Sequence, residues 1–217
     1  HSIYVDQWDW EKIIRREDRT LDYLIRTSQE IVHCVVDTSE RLKREFPSIN
    51  VKLSADMAAV TTQELEDMYP ELSGDDRETA FVREHHTACI MQIGGKLRSG
   101  KPHGNRAPDY DDWSLNGDII FWNDLLGIAF EISSMGIRVD REALLHQLEI
   151  SGKEERKELY FHRRLLGGEL PLSIGGGIGQ SRLCMLLLKK AHIGEIQASI
   201  WPQKMREECK EQNIPLI

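Results

Sequence analysis

Apolar and polar positions alternate over the first ten residues, with Ile3, Val5, Gln7 and Asp9 on one side and Tyr4, Asp6, Trp8 and Trp10 on the other. A period of two predicts a strand. One of its faces passes from apolar to polar, as expected where a strand runs out of a core into a site. From about Asp18 to Phe46 the period becomes helical. Leu21, Leu24, Ile25, Ile31, Val32, Val35, Val36, Leu42 and Phe46 form one stripe, and Pro47 stops it. Shorter helices should follow, with Thr61/Glu64 and Asp75/Glu78 as capping boxes or close variants and Pro70 ending the first. Ala88 to Ile93 reads as a buried strand, and Arg98 to Ser114 as a polar loop containing Pro102, Gly104 and Pro108. Helices are expected over Arg141–Ile150, capped by Asp140, and over Glu154–Leu166, ending at Gly167-Gly168.

Two further patterns bring chemistry into view. The runs Gly117–Trp122 and Gly127–Ser133 predict a hairpin with its turn at Asn123 to Leu126. That register pairs Trp122 with Gly127 and Ile120 with Ala129, and sets Asp118 directly opposite Glu131. Facing carboxylates repel and weaken a bare sheet, so a divalent cation is expected near them. Oxygen ligands of this kind suit Mg²⁺ carrying a nucleotide's phosphates. The plainer alternative has one acid capping the turn and the other facing water. The second pattern is Ile174-Gly-Gly-Gly-Ile-Gly-Gln-Ser-Arg182, between a strand-like run (Leu170–Ile174) and an apolar helix-like run (Leu183–Leu188) ending in Lys189-Lys190. It predicts strand, glycine turn and helix, with a helix N-terminus suited to an anion and Arg182 as a planar cation that stacks on a flat ring or pairs with an acid. A strict G-x-G-x-x-G is not met, although Glu195 lies about twenty residues on, and with no G-K-[ST] a P-loop is excluded. Packing of a helix against a sheet through glycines is the alternative. The last strand-like run is Ile196–Trp201.

Composition narrows the class. A length of 217 residues without repeat or linker predicts one domain, and a net charge of −8 argues against general nucleic-acid binding. Cys34, Cys89, Cys184 and Cys209 lie far apart, and read as reduced, buried thiols of a cytoplasmic protein rather than zinc ligands or disulfides. No apolar run has membrane-spanning length. The chain starts without Met, in strand-like sequence, which predicts a segment of a longer protein. Ser133-Ser-Met-Gly-Ile-Arg138 could supply a pocket floor with a carboxylate-binding cation, and Arg106-Ala-Pro-Asp-Tyr-Asp-Asp-Trp113 an acid-rich loop covering it.

Taken together, these residues resemble the ammonia-dependent aspartate–ammonia ligases, the asparagine synthetase A type, over nearly the whole chain. The most specific runs are His1–Glu11, Ile93–Leu97, Arg106–Ser114, Phe130–Asp140 and the glycine segment through Arg182. The resemblance implies an α/β (α+β) fold, a mostly antiparallel sheet flanked by helices, like the catalytic core of class II aminoacyl-tRNA synthetases. It implies conversion of aspartate, ATP and ammonia to asparagine through β-aspartyl-AMP, with Mg²⁺, in a homodimer that needs neither tRNA nor a membrane. By the family pattern Gln7 and Arg182 are catalytic, and Asp9, Arg106, Asp111, Ser134 and Arg138 hold substrate. Asp118, Glu131, Gly177, Gly179 and Arg182 bind ATP, with Asp118 and Glu131 at the metal. The family also carries an N-terminal region, and a longer loop after the position of Ser114, that are not in this sequence. The alternatives are an aspartyl- or asparaginyl-tRNA synthetase domain, or a non-catalytic paralogue that senses aspartate or adenylate.

Overall fold

The computed structural model describes residues 3–217; His1 and Ser2, the start of the alternating strand and of one resembling run, lie outside the described residues. Six strands, β1 (Gln7–Ile13), β2 (Ala58–Thr61), β3 (Thr87–Met91), β4 (Asp111–Asn123), β5 (Ile128–Arg138) and β6 (Ser173–Gly179), form one sheet. Their spatial order is β1-β6-β5-β4-β3-β2. All neighbours are antiparallel except β2 and β3. The sheet is therefore mostly antiparallel, as expected.

One face is covered by α1 (Leu21–Glu45). The Thr20 hydroxyl accepts from the Tyr23 amide at 3.2 Å to cap it. Leu24, Val32 and Val35 of its apolar stripe pack on Cys89, Ile119, Phe121, Met135, Ile137 and Ile174. On the other face, α2 (Thr62–Met68) and α3 (Gly74–His85) place Leu65, Phe81 and Val82 over Val60, Ala88, Ile90 and Ile120. These helices cover β2, β3 and β4 and reach the start of β5 at Ala129. β1, β6 and the part of β5 paired with β6 are left open on this face, where β6 offers glycines in place of side chains a helix could pack on. Beyond β5, α4 (Arg141–Ile150) packs Leu144 and Leu148 on Val139, and α5 (Tyr160–Leu166), α6 (Gln180–Leu187) and α7 (Gln203–Glu211) complete the chain.

The glycine segment departs most from expectation. It is no turn: Gly175, Gly176 and Gly177 lie inside β6, paired with both β1 and β5, Gly179 ends the strand paired with β1 alone, and none has a positive φ. Close approach is the reason for glycine. A Cβ at Gly176 would stand 2.7 Å from the Met135 Cβ, and one at Gly177 2.6 Å from an Asp9 carboxylate oxygen.

The hairpin register also differs. Gly127, at φ 65°, belongs to the turn, and the Asn123 side-chain oxygen accepts from the Leu125 and Leu126 amides at 3.1 Å each. Trp122 thus pairs with Ala129, two residues beyond the expected partner, which preserves the faces. A bulge at Ile132 shifts the pairing once more, so Asp118 opposes Ser134 and Glu131 opposes Ile120. The two carboxylates are not directly opposed, but they share a face.

Smaller corrections have local causes. The Thr61/Glu64 box forms, whereas α3 is capped by the Ser73 hydroxyl accepting from Asp76, and Glu78 meets His103 Nε2 at 2.8 Å instead. Extended backbone at Leu159 divides the expected helix Glu154–Leu166 into a 3₁₀ turn, Glu154–Glu158, and α5. Ile196–Trp201 forms no strand, because nothing pairs with it; Glu195 is used in holding the preceding turn, through the Ala191 amide at 2.8 Å. The last residues of the expected polar loop, from Asp111, already belong to β4. All four cysteines are free, but Cys34 is exposed and Cys184 only half-buried. Burial pushes the Cys89 thiol up to about 11.

Candidate active site

A single row crosses the sheet on its open face. The register sets Asp9 beside Gly177, Gly177 beside Ser134, Ser134 beside Asp118, and Asp118 beside Ile90, where helix cover begins. Directly paired residues on neighbouring strands point to the same side. The row therefore gathers three polar side chains around a bare glycine floor. Gln7 beside Gly179, and Glu11 beside Gly175, extend this surface along β1.

The open half is the floor of a cleft of about 510 Å³. Seven of the eleven residues expected at the site line it: Gln7, Asp9, Glu131, Ser134, Gly177, Gly179 and Arg182. Arg106, from the loop before β4, donates to the Ser134 hydroxyl and to Asp118, both at 2.6 Å, and so joins two strands at the margin of the cleft. Arg182 projects from the first turn of α6, donates to the Glu131 carbonyl at 3.0 Å, and stands 3.7 Å from its carboxylate. Its guanidinium carbon is 5.8 Å from the centre of the Phe130 ring. Gly179 precedes α6 without a side-chain cap, and the Gln180 amide donates to the Asp6 carbonyl at 2.9 Å, so the start of the helix stands at the edge of the cleft.

Arg138 and Asp111 lie behind this lining rather than in it. Arg138 donates through Nε and Nη2 to Glu11, at 3.0 and 2.9 Å to its nearest oxygens, and through Nη1 to Asp111. The Tyr110 ring lies against its guanidinium, 4.0 Å from centroid to Cζ, and also lines the cleft. Glu11 and Tyr110 are the site residues sequence reasoning passed over. Glu11 continues the period-two series Gln7, Asp9, so its signal was present. Tyr110 lay in a stretch read as loop.

Charges here are held close to one another. Burial raises the Glu131 carboxyl above the usual range, and the nearby Asp118 raises it further, with Arg182 and Arg106 opposing. Burial likewise raises Asp111, against the pull of Arg138 and Arg106. Burial alone would lower Arg106, but Asp118 holds it above its ordinary value. Among the described residues no group of three or more His, Cys, Asp and Glu side chains is suited to a metal, and no helix is long and apolar enough to cross a membrane.

A sequence profile described as aspartate–ammonia ligase matches residues 1–213. An aspartate–ammonia ligase of Clostridium tetani is 54% identical over 217 residues, covering all of this chain and 64% of that protein. One of Lactobacillus johnsonii is 54% identical over 218 residues, covering all of this chain and 65% of that protein. The chain thus spans a little under two thirds of these curated relatives. Among solved structures, the aspartyl-tRNA synthetase of Entamoeba histolytica superposes with a TM-score of 0.64 at 16% identity, over 91% of this chain and 43% of that one. An asparaginyl-tRNA synthetase of Pyrococcus horikoshii complexed with asparaginyl-adenylate gives 0.62 at 17% identity, over 93% of this chain and 50% of that one. These two likenesses are of fold.

Proposed function

The chain belongs to the aspartate–ammonia ligase family, and on that premise we propose that its enzyme makes L-asparagine from L-aspartate, ammonia and ATP. In the first step an oxygen of the aspartate side-chain carboxylate bonds to the α-phosphorus, and the bond from that phosphorus to pyrophosphate breaks. In the second, ammonia attacks the activated carbonyl carbon of β-aspartyl-AMP. The C–O bond to AMP breaks, and the nitrogen loses a proton to give the amide.

The observation that carries this reading is the cleft itself, which collects Gln7, Asp9, Glu131, Ser134, Gly177, Gly179 and Arg182 from four separate elements. Gly177 and Gly179 let a flat or phosphorylated ligand lie against the strand backbone. Arg182 stacks on adenine or takes phosphate, and the uncapped start of α6 favours the same negative charge. Gln7 stabilises charge developing on the α-phosphate. Asp9, Arg106, Ser134 and Arg138 orient aspartate, Arg138 through partners that include Asp111.

Asp118 and Glu131 fit a divalent cation. Burial first and then the nearby Asp118 raise the Glu131 carboxyl, and a cation between them would offset both. Mg²⁺ needs only one or two carboxylates when phosphates supply the rest, and would offset the phosphates' charge. The enzyme is proposed to be a cytoplasmic homodimer. Incubated with ATP, Mg²⁺, aspartate and ammonium but no tRNA, it should release AMP and pyrophosphate in equal amounts and form asparagine. Release of ADP and phosphate, or AMP formation only with tRNA, would overturn this reading.

A further inference from the structure

We infer that His162, well outside the cleft, is a positioning residue for the aspartate end of the site; this rests on the ligase reading above. The link runs through one strap of chain, Pro108 to Asp112. Asp109 turns away from the cleft, and its Oδ2 meets His162 Nε2 at 3.0 Å and Arg156 Nη1 at 2.9 Å. The next residue, Tyr110, turns the other way, lines the cleft and lies against Arg138. Asp111 then pairs with Arg138. Three consecutive residues thus alternate between anchor, cleft wall and ion pair, so a slip at Asp109 is passed first to Tyr110, whose backbone is otherwise held by the Val139 amide at 3.0 Å.

His162 is the more deeply buried of the two partners of Asp109. The His162 side chain is 7% exposed, whereas Arg156 is 35% exposed on a long flexible stem, and exposed pairs hold little. His162 Nδ1 is buried and without a hydrogen-bond partner. A bare lone pair costs less there than a buried N–H, which puts the ring proton on Nε2, donating to Asp109. The break at Leu159 delivers His162 to this place: the chain leaves a 3₁₀ turn extended, and re-enters helix with the ring aimed inward. From the other side Gln147 of α4 holds the same strap, donating to the Pro108 and Asp111 carbonyls at 2.9 and 3.0 Å. The strap is thereby fixed at both flanks of Tyr110, through Asp109 on the His162 side and through Asp111 on the Gln147 side, while the Tyr110 carbonyl accepts from the Val139 amide at 3.0 Å.

The test compares His162→Leu with His162→Gln, whose amide nitrogen can replace the Nε2 donor, in the complete enzyme. His162→Leu should raise the KM for aspartate about tenfold or more, while the KM for ATP moves less than about threefold, as expected for misplacement at one end of a site. His162→Gln should restore the aspartate KM to within about threefold of the parent. In the unliganded protein, amides of segment 108–113 should exchange with solvent about tenfold faster in His162→Leu, with β6 unchanged. An unchanged aspartate KM, or equal losses in both variants alongside general destabilisation, would sink the inference. A parent without AMP-forming activity, but with the exchange difference intact, would overturn the ligase reading and leave the anchor standing.

Discussion

Glycine in β6 is a matter of space rather than of backbone freedom. At Gly176 an added methyl would meet the Met135 Cβ at 2.7 Å and the Ser134 carbonyl at 2.8 Å, neither of which can swing aside. Gly176→Ala should therefore destabilise by about 1–3 kcal/mol, seen as a lower melting temperature. Glu131 makes a prediction of opposite sign. Its folded pKa is raised, so it favours the folded state below the ordinary carboxylate pKa and loses that contribution as pH rises through the raised value. Without nucleotide, Glu131→Gln should match the parent at about pH 4 and melt higher at about pH 7. A variant that melts lower at neutral pH would show that Arg182 outweighs burial and Asp118. The chemistry of these residues was legible in the sequence, from the paired acids and the glycine run. Their backbone setting was not, because glycine signals a tight turn and a tight strand crossing equally well.

The β4–β5 hairpin shows how much of the site depends on one turn. Gly127 holds a φ of 65°, which a Cβ disfavours, and nothing else lies within 4 Å of where that Cβ would be. Gly127→Ala should thus cost about 1 kcal/mol through backbone conformation alone. Urea unfolding should show this loss, while aspartate and ATP KM stay near parental values because the register is also held by the packed strands. The period-two pattern recovered both strands and the shared face of Asp118 and Glu131. The bulge at Ile132 had no such signal, since an extra residue in one strand is visible only against its partner. Helix ends followed the same rule. Thr61/Glu64 was recognisable as a box, yet Ser73 displaced Asp75 because tertiary contact draws Glu78 to His103.

Arg138 ties β1, β4 and β5 together through Glu11 and Asp111, and Asp111 is only 2% exposed. Arg138→Leu would leave that carboxylate buried without its cation and should cost about 3 kcal/mol near neutral pH. Burial already raises Asp111, so the penalty should shrink as acid protonates it. Urea unfolding at two pH values checks this, and a penalty independent of pH would point to lost packing instead. The layering itself explains the position of the cleft. Helix cover on the cleft face lies over the apolar side chains of β2, β3 and β4 and stops where β6 offers glycine.

From its own order of residues the chain determined most of the element types, the α1 stripe and the shared face of Asp118 and Glu131, while the mostly antiparallel sheet and most cleft residues came with the family resemblance. Periodicity and local chemistry carry that information within a few turns of chain. Only the folded arrangement decided the pairing of Asp118 with Ser134, the glycine strand between β1 and β5, and the meeting of Arg138 with Glu11. Each joins residues far apart in sequence, where no short-range pattern can record which strands become neighbours or by how many residues they are offset.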